Sequence, residues 1–233
     1  MKDIRSEDFI TYGIDHIDAE QFHPIKNHLQ RNKPTGGLWG CPVSAGWGWK
    51  EWCESEDFFP EGSKYFDRSV TWRLREGAKT LVIDSMQDYM KALEQYGISE
   101  FFLPIFHTGK IGEKPDIRRM KLDYSMWTEF IGDPKKERSM AVGGRLELDY
   151  EKISNDFDAF FLTEKAAATL HHTFSQNYFD FNIWDVGSIC LFRIDPDVMQ
   201  VVRCTGESKE TTCAARKMFS ELSSQDGPVH RKK

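Results

Sequence analysis

The chain has 233 residues, of which 39% are hydrophobic and 29% charged, so it is long enough to bury a full core and too apolar for a disordered protein. Its formal net charge of −6 excludes the overall basic character that drives non-specific nucleic-acid binding, although local basic patches remain open. The five cysteines form no CxxC pair and the sequence has no apolar leader and no bilayer-length apolar run, so we expect a cytoplasmic protein without disulfides, zinc or membrane contact.

The chain before residue 98 predicts short strands separated by helices and turns. Runs rich in β-branched and aromatic residues predict strands at residues 9–14, 38–42, 72–74 and 80–84. Apolar spacing and capping residues predict helices at residues 19–22, 47–59 and 86–96. Asp18 would cap the first of these helices and either Asp84 or Ser85 the last, which ends at Gly97.

The rest of the chain predicts an irregular region and then a second set of strands. Residues 98–145 carry scattered Gly, Pro and charge, which favours an irregular insertion with short elements. Strands are expected at residues 146–150, 159–162, 183–192 and 199–203, and helices at 164–175 and 214–222. Because this order does not alternate as a βαβ series would, we predict one α+β domain over residues 1–233.

Common signatures of enzyme sites are missing from the sequence. It contains no GxxxxGK[ST] or GxGxxG phosphate loop, no HExxH and no GxSxG. The adjacent His171 and His172 would point about 100° apart on a helix, which makes shared binding of one metal ion difficult. We therefore expect no metal.

Three segments combine glycines with aromatic residues. They are Tyr12-Gly13, residues 33–53 with KPTGGLWGCP and GWGWKEWC, and residues 184–189 with WDVGSI. At these segments the chain resembles bacterial ADP-ribosyltransferase-like proteins, which include toxins of toxin–antitoxin and phage-defence systems. That family opens with a YG strand, continues through KPxGGLW and GWxxWC, has a middle DFE…YDAI passage, and closes on WDxESI or WDxDSI before NPD. Weaker counterparts lie at residues 149–151, 157–160 and 195–197, so the resemblance runs in order along nearly the whole chain.

The resemblance implies a split, mostly antiparallel two-sheet fold with flanking helices, which holds NAD as a substrate in the cleft between the sheets. The nicotinamide–ribose bond breaks through an oxocarbenium-like centre, so such a site needs an aromatic flank, close backbone contacts to the amide and a carboxylate near the ribose. Gly13 would allow the close backbone approach, and Tyr12, Trp39 or Trp49 would supply the aromatic face. The candidate cofactor-binding residues are Tyr12, Gly13, Gly37, Leu38, Trp39, Cys41 and Trp49.

The implied catalytic position departs from the family pattern. Position 187, where the family carries an acid, is Gly187, and the neighbouring Asp185 would project from the same face of a strand. Three interpretations stay open: a naturally inactive or attenuated protein, a chain from which the acid has been removed, or a misaligned motif whose acid is Glu147 or Glu151.

The same residues are compatible with structural roles. The tryptophans of residues 39–52 would serve equally as core, and Tyr12-Gly13 as a strand followed by a turn. Asp185 would serve as a hydrogen-bond acceptor at a strand end. Cys41 favours a small buried residue over a nucleophile, because no histidine is evidently paired with it.

The resemblance therefore leads us to expect a mono-ADP-ribosyltransferase that acts on a macromolecular acceptor as a toxin or anti-phage effector, with an antitoxin protein as a candidate partner. The acidic net charge favours a protein acceptor, while the basic residues between 110 and 121 keep RNA or DNA open. The alternatives are a non-catalytic binding module and a glycohydrolase that only consumes NAD.

Overall fold

The computed structural model describes residues 4–19, 22–28, 32–105, 107–110, 114, 116–130, 146–172 and 184–205. Within these ranges the chain forms strands and α-helices in mixed order, with 3-10 turns at Ile4–Ser6 and Tyr65–Asp67. The strands are β1 (Asp8–Tyr12), β2 (Leu38–Pro42), β3 (Ser69–Leu74), β4 (Thr80–Ile83), β5 (Gly97–Ile105), β6 (Asp116–Asp123), β7 (Leu146–Leu148), β8 (Ala159–Leu162), β9 (Ser188–Leu191) and β10 (Met199–Cys204). The helices are α1 (Trp49–Ser55), α2 (Met86–Tyr96), α3 (Tyr124–Phe130), α4 (Tyr150–Asp156) and α5 (Glu164–His172).

The strands form two sheets, which confirms the α+β class with a mostly antiparallel core. The main sheet has seven strands in the order β10-β3-β1-β2-β9-β8-β4, and the smaller sheet has three in the order β6-β5-β7. Every described neighbouring pair is antiparallel except β4 and β8, which run parallel from Thr80↔Ala159 to Ile83↔Leu162. The chain between those two strands contains the whole smaller sheet.

The pairing between β1 and β2 is much shorter than the strands themselves. Only Phe9↔Pro42 and Ile10↔Cys41 are in register across it. On its other side β1 pairs with β3 over all five of its residues, and β2 pairs with β9 from Leu38 to Gly40. The main sheet is therefore split along this boundary, which we call the β1–β2 seam.

Hydrophobic clusters cover both faces of the main sheet, because successive side chains of a strand point to opposite faces. Phe160 on β8 packs against Tyr150 and Trp184 in the first cluster. The next residue, Phe161, packs edge-on against Phe9 in the second cluster. All four residues of β8 are buried, as expected of a strand covered on both sides.

The prediction of an irregular insertion at residues 98–145 is wrong over its first part. β5 and β6 pair in continuous antiparallel register from Ile98↔Asp123 to Ile105↔Asp116. On β6, buried Leu122 alternates with exposed Lys121 and Asp123, which is the period of a strand with one covered face. Residues 131–145 lie outside the described part of the chain.

Several predicted elements agree with the structure in their bounds, and others are shorter. The predicted strands at 38–42 and 159–162 and the helix at 86–96 have the observed bounds, and Ser85 is the residue that caps α2, by accepting the Asp88 N–H. The helix predicted at 47–59 is confined to α1, and the strand predicted at 183–192 begins at Ser188. The predicted helix at 214–222 and the middle two residues of the one at 19–22 fall outside the described residues.

Candidate functional site

A cavity of about 450 Å³ lies where the β1–β2 seam opens. Its wall is built from β1, from the turn that precedes β2, from β2 itself, and from single residues of α1, the 3-10 turn at Tyr65–Asp67 and β9. The residues that line it are Ile10, Thr11, Tyr12, Lys33, Pro34, Gly37, Leu38, Trp39, Gly40, Cys41, Trp49, Tyr65 and Ser188. We call this cavity the seam pocket.

Six of the seven predicted cofactor-binding residues line the seam pocket: Tyr12, Gly37, Leu38, Trp39, Cys41 and Trp49. The exception is Gly13. Neither of the two predicted catalytic positions, Asp185 and Gly187, lines it, although Ser188 does.

The backbone edges of β1 and β2 face each other across the seam without pairing as a ladder there. Cys41 Sγ lies 3.9 Å from the Ile10 carbonyl oxygen, so this carbonyl points toward β2. Because backbone groups alternate in direction along a strand, the N–H and C=O of Tyr12 point to the same side, into the gap. Thr11 bridges the seam by donating its hydroxyl hydrogen to the Trp39 carbonyl over 2.6 Å.

Aromatic side chains form two sides of the seam pocket. Trp39 is held by a 2.9 Å hydrogen bond from its Nε1 to the Gly36 carbonyl and by ring contact with Trp184 at 5.0 Å. On the other side Trp49 stacks on Trp52 with ring centroids 5.0 Å apart and an angle of 16°. Trp39 and Trp49 are both only partly buried, so each keeps surface open to a ligand.

Gly37 is required by the turn that leads into β2. Its φ of +70° lies in the left-handed region, and a Cβ there would be 2.6 Å from Cys190 Sγ and 2.8 Å from the Leu191 carbonyl oxygen. Its N–H donates to the carbonyl of His23 over 2.9 Å. The glycine therefore brings the pocket wall against β9 at a distance that no side chain allows.

Gly13 was predicted to bring its backbone close to a ligand, but in the structure it serves a turn at the end of β1. Its N–H already donates to the Arg68 carbonyl over 2.9 Å. A Cβ at this position, where φ is +82°, would be 2.4 Å from the Tyr65 ring. Gly13 thus turns the chain at the end of β1 and makes room for Tyr65, which itself lines the seam pocket.

Gly187 is buried against the backbone at the start of α5. A Cβ on it would be 2.5 Å from the Glu164 nitrogen, 2.8 Å from the Glu164 Cα and 3.1 Å from the Thr163 carbonyl carbon. Backbone atoms cannot swing aside as a flexible side chain would, so a side chain here requires α5 or the 184–187 segment to move. Nor does residue 187 lie on a strand, since β9 begins one residue later.

Asp185 precedes β9, so the prediction that it shares a strand face with residue 187 is wrong. Asp185 is partly buried. Burial lowers the pKa of Lys33, and the charge of Asp185 opposes this effect by raising it.

The alternative catalytic acids, Glu147 and Glu151, also lie away from the pocket. Glu147 is buried on β7 of the smaller sheet, and a carboxylate oxygen of Glu151 accepts the Asn27 N–H over 3.1 Å. Within the described part of the chain, no Asp or Glu lines the seam pocket.

Burial keeps two acidic groups of the pocket wall, the Tyr12 hydroxyl and the Cys41 thiol, protonated. It raises the pKa of Tyr12 to about 12, with smaller contributions from Cys41, Glu51 and Glu54. Burial also raises the pKa of the Cys41 thiol, although a hydrogen bond from the Trp49 backbone opposes it. A raised thiol pKa leaves little nucleophilic thiolate at neutral pH, which supports the structural interpretation of Cys41.

Sequence reasoning left out several residues that line the pocket. Lys33 is the first residue of the KPxGGLW motif, so this motif could have assigned it to the pocket wall. Tyr65 carries no such signal, because it reaches the pocket only through the packing of the loop after α1. Ser188 follows the position to which the catalytic role was assigned.

Among the described residues there is no group of three or more His, Cys, Asp or Glu side chains arranged to hold a metal ion. No described helix combines the length and the apolar character needed to cross a bilayer. Comparison with known proteins finds no matching family model, no matching curated protein and no matching solved structure.

Proposed function

We propose that the seam pocket binds NAD and that the chain is an ADP-ribosyltransferase-fold protein that modifies a macromolecular acceptor, as toxins and anti-phage effectors of the family it resembles do. The observation that carries this proposal is the convergence of distant motif segments on one cavity. Tyr12, Trp39 and Trp49 come from three separate elements, and all three line it. The proposal extends to a cytoplasmic location and to an antitoxin as partner.

The size and lining of the pocket suit one half of a dinucleotide. Small-molecule sites typically have volumes of about 300–1,000 Å³, with mostly apolar walls and few polar groups. The seam pocket has about 450 Å³ and presents the rings of Tyr12, Trp39 and Trp49. A nicotinamide ring between these residues would stack on an indole, and its amide would meet the backbone edge of β1 at Tyr12.

Release of nicotinamide requires stabilisation of positive charge on the ribose, and the pocket wall offers limited means for it. In the described chain the lining side chains are neutral apart from Lys33, and the raised pKa of Tyr12 keeps its hydroxyl protonated. Loss of one transition-state stabiliser costs about 10²–10³ in rate. The protein would therefore bind NAD and turn it over slowly.

A second candidate function is a non-catalytic module that binds a nucleotide. The contact of Gly187 with the α5 backbone favours it, because this glycine is needed by the packing as it stands. That contact also favours a natural glycine over a removed acid among the three interpretations of position 187.

Calorimetry with NAD on the full chain, followed by chromatography for nicotinamide, tests these functions together. NAD binding with label transferred from NAD to a protein or RNA acceptor supports the transferase. Binding without nicotinamide release supports the binding module, and free ADP-ribose without labelled acceptor supports the glycohydrolase. Absence of NAD binding at millimolar concentration would refute the proposal.

A further inference from the structure

Lys33 is the only charged side chain among the residues that line the seam pocket in the described chain. Its Nζ lies 4.9 Å from the centroid of the Trp39 ring and 5.5 Å from that of Trp184. Both distances are within the range of a cation–π contact, which is about 6 Å. The ammonium group is therefore fixed between two indoles at the wall of a cavity.

The residue before Lys33 anchors this arrangement to the core. Asn32 is buried in a left-handed conformation with a φ of 45°. Its side chain donates to the Tyr89 hydroxyl over 2.8 Å and accepts the Leu148 N–H over 3.0 Å. Its carbonyl accepts hydrogen bonds from the Tyr150 hydroxyl at 3.0 Å and from Trp184 Nε1 at 2.8 Å.

These four hydrogen bonds come from α2, β7, α4 and the segment before β9, so they fix the backbone from which Lys33 extends. Trp184 takes part twice, since its indole N–H holds Asn32 and its ring faces the Lys33 ammonium. The ammonium group is thus held in place before a ligand binds, which reduces the entropic cost of binding.

Burying an ammonium group costs free energy unless a partner compensates for it. Burial is the main influence on the Lys33 pKa and lowers it, while the charge of Asp185 opposes that effect. The contacts with the Trp39 and Trp184 rings and the charge of Asp185 help to stabilise the ammonium group in this position. An anion in the cavity would interact strongly with this charge, because water is partly excluded there.

We propose that Lys33 binds the phosphate-bearing part of a nucleotide whose flat ring lies against the aromatic wall of the seam pocket. This inference deepens the proposed function, since NAD is one such nucleotide, and assigns the residue that recognises the phosphates. It predicts discrimination between a nucleotide and the nucleoside that shares its ring.

The competing explanation is that Lys33 serves only the packing of Trp39 and Trp184 and the charge of Asp185. The two explanations differ in one measurable respect. A structural lysine affects every ligand of the pocket equally, whereas a phosphate-binding lysine affects only ligands that carry phosphate.

Calorimetric titration of the full chain with ADP, adenosine and inorganic pyrophosphate separates them. We expect wild type to bind ADP more tightly than adenosine, and Lys33→Met to weaken ADP binding by about tenfold to hundredfold, as expected for loss of a charged hydrogen bond. Adenosine binding should change by less than about threefold, because the apolar stem is kept. Lys26→Met, at an exposed lysine outside the pocket, is the matched control and should bind as wild type.

Two further measurements test the proposal even if the Lys33→Met protein folds poorly. Lys33→Arg keeps the charge and should retain a preference for ADP over adenosine. In wild type, raising the salt from about 0.05 to about 0.5 M should weaken ADP binding and leave adenosine binding nearly unchanged.

Equal losses for ADP and adenosine in Lys33→Met, or no loss for ADP, would overturn the inference. If NAD binds but does so independently of Lys33, the inference fails and the proposed function stands. If ADP and pyrophosphate depend on Lys33 while NAD does not bind, the inference stands and the proposed function fails. If wild type binds no phosphate-bearing ligand, both fail.

Discussion

The tight contact of Gly187 with α5 predicts that any side chain at this position destabilises the fold. In Gly187→Ala the added Cβ would lie 2.5 Å from the Glu164 nitrogen and 2.8 Å from its Cα. Favourable carbon contacts need about 3.5–4.0 Å, so the backbone must move by about 1 Å. Such overpacking typically costs about 1–3 kcal/mol, against a gain of about 0.4–1 kcal/mol from the stiffer unfolded chain.

We therefore expect Gly187→Ala to lower the free energy of unfolding by about 1–2 kcal/mol, which lowers Tm by about 2–8 °C for a protein of this size. Thermal unfolding followed by circular dichroism measures this shift. Gly77→Ala is the matched control, since a Cβ at Gly77 meets nothing within 4 Å and its Tm should not fall.

An unchanged Tm in Gly187→Ala would refute the steric reasoning. The same reasoning predicts that Gly187→Glu is at least as destabilised and does not restore nicotinamide release. A stable Gly187→Glu protein that releases nicotinamide would show that the segment before β9 adapts to an acid, and would restore the interpretation of a disarmed enzyme.

Three further predictions concern the pocket wall and its support. Trp49→Ala should weaken nucleotide binding by about tenfold, because base–aromatic stacking contributes about 1–3 kcal/mol. Trp47→Ala, at a 45% exposed side chain outside the pocket, should not, and equal calorimetric losses in both would exclude the stacking role. Asn32→Ala should lower the free energy of unfolding, measured in urea, by about 2–4 kcal/mol, because it leaves two buried groups without their hydrogen-bond partner. A loss below about 0.5 kcal/mol would contradict this. The folded-state pKa of Tyr12 is raised to about 12, so its stabilising contribution is complete below pH 10 and is lost as the pH rises toward 12. An ultraviolet difference titration of wild type against Tyr12→Phe should show that late ionisation, and a midpoint near the ordinary value of about 10 would refute it.

Local signals in the sequence were sufficient where an element is bounded by its own residues. The prediction for α2 has the observed bounds because Ser85 caps it and because Gly97 ends it. A Cβ at Gly97 would be 2.4 Å from the Leu93 carbonyl oxygen, so this glycine is required where the chain turns into β5. The β5–β6 hairpin was missed because scattered Gly, Pro and charge masked its period, and because its stability depends on pairing between strands rather than on local pattern.

The composition of the pocket wall could be predicted, but the directions of its side chains could not. Tyr12, Trp39 and Trp49, which the resemblance grouped, line one cavity in the structure. The resemblance could not show that Gly187 faces the start of α5, because that contact joins residues 23 positions apart in the sequence through tertiary packing. The same limit applies to Gly13, whose N–H is already bonded within the fold.

The short β1–β2 seam has a mechanical consequence for the main sheet. In the described chain, the two residue pairs lie at the Phe9 end of the seam, where the Val43 N–H also donates to the Asp8 carbonyl and the Ser44 N–H to a Glu7 carboxylate oxygen. Nearer Tyr12, the Thr11 hydroxyl joins the three strands on one side to the four on the other. Rotation about Phe9↔Pro42 therefore changes the gap at Tyr12 while breaking few hydrogen bonds. The two parts of the sheet can therefore open and close the gap at Tyr12 by rotating about the Phe9 end of the seam. Closure on a ligand would slow amide hydrogen exchange at Tyr12 and Trp39 first, before any effect reaches the outer strands.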